Sequence, residues 1–248
     1  MTDHAVAADA RAALGSLGLA ATPHHRTTSS KESDDAILIL VPGAGYAANS
    51  DELIPSGLWS TGKFAQDNGL DVGSMIKYVE WALENRIRPV VLRSHEAAEV
   101  ASAFEELEST VRSAGGRRVP VVVAAHSEGG AGLVSALRDH ESWTSPDDDA
   151  ALRLVGIALL DSVHAAKDSP PKGSQAASFL RSGAVTNWVV SAQPLGDPKP
   201  KPWVKDGVSG GVLARSAGTA DHLHVPAAAR EAACAFLGAR LGAASTAL

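Results

Sequence analysis

Ser127 ends a run of β-branched residues in "VVVAAHSEGGAG" (residues 121–132), flanked by His126 and Glu128 and followed by two glycines and further small residues. A buried strand that delivers a serine to a sharp strand-to-helix turn presents the hydroxyl as a nucleophile. Such a turn is strained and crowded, so the residues two before and two after must be small. Ala125 and Gly129 hold those positions, with alanine where glycine is usual. A serine at such a turn can equally be a helix N-cap. The chemistry therefore depends on whether a base, an orienting acid and an oxyanion hole accompany it.

Candidates for each part follow in the order that this chemistry uses on a parallel sheet. The base belongs after the last strand, and "LARSAGTADHLHVP" supplies His222, with His224 in reserve. Their H-x-H spacing is that of a metal pair, but no third ligand cluster accompanies it, so no metal is expected. For the acid, Asp197 in "SAQPLGDP" lies beyond the penultimate strand and Asp161 in "ALLDSVHA" at the tip of the strand before it. Both satisfy the order Ser, Asp, His, and Asp197 is narrowly preferred. His164, three residues past Asp161, reads as a loop hydrogen-bonder. For the oxyanion hole, Gly43 and Gly45 in "ILILVPGAGY" permit close backbone approach, with the amides of Ala44 and Glu128 as donors.

The elements that must position these residues are legible as alternating patterns. Short apolar runs occupy residues 36–41, 88–94, 119–125, 152–160, 185–191 and 210–216. Between them Val72, Ile76, Val79 and Leu83 form one helical stripe, and Val100, Phe104, Leu107 and Val111 another. Pro226 opens a last helix through Leu241 that carries Cys234 and Leu237 inward. Near-continuous apolar strands separated by helices predict an α/β fold, a parallel sheet covered on both faces. Residues 1–35 read as a short helix and a linker, residues 36–248 as one domain, and "PLGDPKPKPW" as an extended exposed loop.

Composition bounds the rest. The chain has 248 residues, 45% of them hydrophobic and 20% charged, which suits one globular domain. Its formal net charge is −6 and no Lys/Arg block exceeds two residues, so no direct nucleic-acid grip is expected. One cysteine, Cys234, allows no internal disulfide and suggests a reducing compartment. Asp3 and the lack of a basic n-region speak against a secretory leader, and no window of about 18 apolar residues predicts a membrane span. The expectation is an intracellular, cytoplasmic protein that needs no cofactor.

Four blocks, "AHSEGG", "IALLDSVHA", "NWVVSAQPLGD" and "RSAGTADH", resemble in order and spacing the Arb-two (Argonaute-binding protein two) domain family, which includes the FAM-one-seven-two proteins. The segment from Gly57 to Arg93 resembles the family's stretch between its first two strands. The resemblance spans most of residues 36–242. It implies an α/β-hydrolase-type three-layer sandwich without a large lid domain, with Ser127 and His222 as elbow serine and late histidine and Asp161 in the D-S-V-H block. It also implies protein partners of Argonaute or chromatin type and a nuclear setting as an alternative. The chain departs from the family pattern at Glu128, where an aromatic is usual, and at Gln193, where an acid is expected, and it lacks the long basic tails. Two functions are thus expected: a serine hydrolase acting on a small ester or acyl substrate, or a catalytically silent binding module of Arb-two type.

Overall fold

The computed structural model describes residues 3–21, 25–28, 36–44, 57–115, 118–145, 150–164, 168–198 and 211–246. The strands are β1 (Leu19–Ala21), β2 (His25–Thr28), β3 (Ala36–Val41), β4 (Ile87–Leu92), β5 (Val119–His126), β6 (Leu152–Leu160), β7 (Val185–Val189) and β8 (Leu213–Ser216). The helices are α1 (Asp3–Ser16), α2 (Gly62–Asn68), α3 (Leu70–Gly73), α4 (Ile76–Glu84), α5 (Ala97–Ser113), α6 (Glu128–Asp139), α7 (Gln175–Leu180), α8 (Val225–Ala228) and α9 (Arg230–Ser245).

Among the described residues the strands form one sheet in the order β1-β2-β4-β3-β5-β6-β7-β8. From β4 to β8 every pairing is parallel, and β1 and β2 add an antiparallel edge. The central strands are buried on both faces, which is why their sequences are nearly continuous runs of Val, Ile, Leu and Ala. Alternate residues serve alternate layers. Ile37, Ile39, Val121, Val123 and Ala125 join α5 and α6 on one face, whereas Leu38, Leu40, Val122 and Ala124 join α1, α4 and α9 on the other. This is the α/β-hydrolase-type three-layer sandwich, and α7 is the one described helix between β6 and β7, so no large lid is present among the described residues.

Three expectations differ from the structure. Residues 3–16 pack as α1, with Leu14 fully buried in the core, and residues 19–21 and 25–28 extend the sheet. Much of what reads as tail and linker is therefore part of the domain. The stripe Val72–Leu83 is divided between α3 and α4. Helix breaks at Ser74 because the chain there pairs with the segment ahead of α2: Leu58 bridges Ser74, and the Trp59 amide donates to the Gly73 carbonyl at 3.0 Å. The last helix divides too, at Ala229 between α8 and α9, with Cys234 and Leu237 inward. Part of the proline-spaced loop, residues 199–203, lies outside the described residues.

Candidate active site

At the end of β5 the backbone changes hand. The Ser127 amide still extends the parallel ladder, donating to the Leu160 carbonyl at 3.1 Å, but its φ is 53° and ψ −122°. A non-glycine residue there costs about 1–3 kcal/mol and needs surroundings that enforce it. The Ser127 carbonyl accepts the Gly130 amide at 3.1 Å and the Val163 amide at 3.3 Å. α6 can start at once only because it carries no side chains where it meets the sheet. A Cβ on Gly129 would overlap the Pro42 carbonyl, and one on Gly130 would overlap the Ser162 hydroxyl.

Ser127 occupies the N-cap position of α6 but makes no side-chain cap bond. Its Oγ lies instead 2.9 Å from Nε2 of His222. His222 opens a 3-10 turn, His222–His224, whose start is capped by the Asp221 carboxylate accepting the Leu223 amide at 2.9 Å. Its Nδ1 is 2.6 Å from Oδ2 of Asp161. A carboxylate facing Nδ1 makes that nitrogen the donor, which leaves Nε2 as the acceptor for the serine proton. Asp161 is placed by the tip of β6: its φ is 52°, its amide donates to the Trp188 carbonyl at 2.7 Å, and its Oδ1 accepts the Val190 amide at 3.1 Å.

The preference for Asp197 over Asp161 is therefore reversed in the geometry. Asp197 is exposed on the loop after β7, its amide donating to the Pro194 carbonyl at 3.2 Å and its carbonyl accepting the Ser216 amide at 2.8 Å. The one ring nitrogen it would need is taken by Asp161. His224 is engaged elsewhere, with Nε2 3.2 Å from Asn68 Oδ1 and Nδ1 3.0 Å from Asp221 Oδ2. His164 is fully buried, and its Nδ1 pairs with the Ser162 hydroxyl at 2.8 Å.

On the other side of Ser127 runs the segment after β3. A Cβ on Gly43 would come within 3.0 Å of Ser127 Cβ and 2.9 Å of His126 Nδ1, so the backbone passes directly beside the serine. The Gly43 amide is committed to the Trp59 carbonyl at 2.9 Å, and half-buried Ala44 follows it. Gly45 lies outside the described residues. The Glu128 amide opens α6 beside Ser127, at the positive end of a 12-residue helix. The Glu128 carboxylate turns outward to His95 Nε2 at 3.4 Å. Among the described residues no group of three His, Cys, Asp or Glu is placed to hold a metal ion.

His126 is the neighbour to which sequence reasoning attached no role. It is 1% exposed, its Nδ1 is 3.2 Å from the Trp59 carbonyl, and its Nε2 is 3.3 Å from the His222 carbonyl. Its ring lies 4.8 Å from that of His222, tilted by 30°. Burial, reinforced by the neighbouring His222, pushes its pKa from 6.5 to about 4, so the ring is neutral at pH 7. Its sequence signal is strand alternation: after Ala124, residue 126 is the next to face the α8–α9 side, from which His222 comes.

Comparison with known proteins adds little to this geometry. No family model matches the chain, and no curated protein matches it. Among solved structures, the chain is similar to EstE7, a hormone-sensitive-lipase homologue from a metagenome library, with 12% identity over 97% of this chain and 94% of that one, at a TM-score of 0.46. A carboxylesterase-like structure from Lactobacillus plantarum shares 12% identity over 71% of this chain and 75% of that one, at a TM-score of 0.36. The mature lipase BlEst2 of Bacillus licheniformis shares 14% identity over 56% of this chain, at a TM-score of 0.31, and the match spans 46% of that lipase, less than half its length. Among the described residues no helix is long and apolar enough to cross a membrane.

Proposed function

We propose that the protein is a serine hydrolase acting on a small acyl ester. The observation that carries this reading is the continuous chain of contacts from Ser127 Oγ to His222 Nε2 at 2.9 Å and from His222 Nδ1 to Asp161 at 2.6 Å. In this mechanism Ser127 Oγ attacks the ester carbonyl carbon while its proton passes to His222 Nε2. The amides of Ala44 and Glu128 receive the oxyanion, and Asp161 holds the imidazolium. Collapse expels the alcohol, which takes the proton back from His222 and leaves an acyl group on Ser127. Water then attacks that acyl group, with His222 again as base, and releases the carboxylic acid. No metal or organic cofactor enters the cycle.

Labelling with a fluorophosphonate tests the reading, because an activated serine reacts and an N-cap serine does not. The wild type should label, Ser127→Ala should lose all labelling, and His222→Ala should lose most of it, with His224→Ala mild by comparison. If folded wild type labels no more than Ser127→Ala, the hydrolase reading fails. The silent binding module of Arb-two type, which rests on the four ordered sequence blocks, then takes its place.

A further inference from the structure

The chemistry proposed above leaves His126 without a task, although it is a fully buried, titratable ring directly before the serine. Its two nitrogens face two main-chain carbonyls that lie far apart in the sequence. Trp59 O belongs to the segment that also anchors the Gly43 amide, and His222 O belongs to the base itself. Its ring also lies against that of His222, at 4.8 Å and a tilt of 30°. One side chain thus spans both loops that must meet over Ser127.

We infer that His126 is a positioning residue for the proposed hydrolysis: wedged between the His222 and Trp59 carbonyls, it bonds one of them through its single N–H and packs its ring against that of His222, so that base and oxyanion loop are held in register by one imidazole. The inference rests on the hydrolase reading for its effect on rate but not for the clasp itself. A neutral imidazole has a single N–H, so one of the two carbonyls receives it and the other faces a lone pair. Neutrality suits the role. A cation this close to His222 would oppose the charge that His222 acquires when it takes the serine proton, by the repulsion between like charges.

Full-length wild type, His126→Leu, His126→Asn and His126→Gln are compared for thermal melting, for the far-downfield proton of the His222–Asp161 bond in NMR, and for fluorophosphonate labelling at Ser127. Leucine fills much of the ring's volume without a donor, whereas Asn sets an amide N–H near the place of Nδ1 and Gln near that of Nε2. The Leu variant is expected to melt cooperatively, to lose the downfield proton to exchange with water, and to label more slowly by on the order of 10²-fold, the scale on which a small misplacement costs rate. One of the two amide variants should recover the proton signal and most of the rate, and which one does so identifies the carbonyl that takes the N–H. A Leu variant with wild-type signal and rate overturns the inference. So does equal loss in all three variants, which would mean that the ring's shape alone matters. Should Leu fail to fold, recovery in Asn or Gln against loss in the other decides on the same terms. The proton signal needs no turnover. A wild type that does not label while its signal responds to His126 in this way sinks the hydrolase reading and leaves the clasp standing; normal labelling with an indifferent signal does the reverse.

Discussion

At the tip of β5 the backbone turns through Ser127 with φ 53°, and at the tip of the neighbouring β6 it turns through Asp161 with φ 52°. Both residues keep their amides in the parallel ladder, on Leu160 and Trp188 respectively, while the chain beyond swings away. What encloses them differs. The β5 tip runs straight into α6, and the close approach is made by backbone: Gly129 against Pro42, Gly130 against Ser162, Gly132 against the His95 carbonyl. The β6 tip enters no helix among the described residues and is held by side chains: Asp161 Oδ1 on the Val190 amide, Asn187 Oδ1 on the Ser162 amide at 3.2 Å, and the Ser162 hydroxyl on His164. A positive φ is thus enforced once by excluded volume and once by hydrogen bonds. Excluded volume demands glycine at particular positions, whereas hydrogen bonds are met by common polar residues.

The largest test of this contrast concerns what the β6 tip is for. Asp161→Asn should lower kcat for a short-chain ester by about 10³–10⁴-fold, because the amide favours the wrong tautomer of His222. Asp197→Asn should stay within about twofold, as expected of an exposed residue off the ring. Equal losses at both positions, measured on folded protein, would remove Asp161 from the role proposed for it.

Stability separates the two modes of enclosure. Gly129→Ala drives a methyl into a backbone carbonyl and should cost about 3 kcal/mol, near the upper end for overpacking. Asn187→Ala removes one buried bond at the other tip and should cost about 1–2 kcal/mol. Denaturant unfolding gives both values, and the reverse ranking would contradict the division between volume and hydrogen bonding.

The pH dependence isolates the β5 tip. His126 has a pKa of about 4 when folded, against 6.5 as its ordinary value. Between those limits the unfolded chain binds more protons, so stability falls as pH drops from 6.5 to 4 and is indifferent to His126 above 6.5. The full loss from this residue is about 3 kcal/mol. Chemical denaturation across that window should show the loss in wild type and a correspondingly flatter profile in His126→Gln.

The smallest effect concerns the turn itself. Ser127→Gly, which relieves the positive φ, should be more stable than Ser127→Ala by about 1 kcal/mol, the strain relief being partly offset by the added freedom of glycine in the unfolded chain. A less stable glycine variant would mean that the turn stores no strain at Ser127.

The same distinction separates what sequence alone determined from what tertiary structure decided. The sheet was legible because strands buried on both faces must be apolar, as β3 is from end to end and β5 and β6 are over Val121–Ala125 and Leu154–Leu160. The turn at Ser127 was legible because backbone crowding admits only Gly and Ala, and both appear at the required spacing. Helix α5 was legible because Val100, Phe104, Leu107 and Val111 repeat at helical spacing. The break between α3 and α4 was not, since the apolar stripe runs through it and only pairing with the Leu58–Trp59 segment ends the helix. Nor was the joining of α1, β1 and β2 to the domain, because strands of three and four residues are too short to show a distinctive period. Asp161 and Asp197 both lie after strands, both precede His222 in the chain, and neither needs a special neighbour. Which of them meets the ring depends on where three loop ends converge, and that is set by strand order and the lengths of the packed layers. His126 read only as a polar flank of Ser127, and its contacts with Trp59 and His222, 67 and 96 residues away, exist only once the sheet has brought those segments to the same edge.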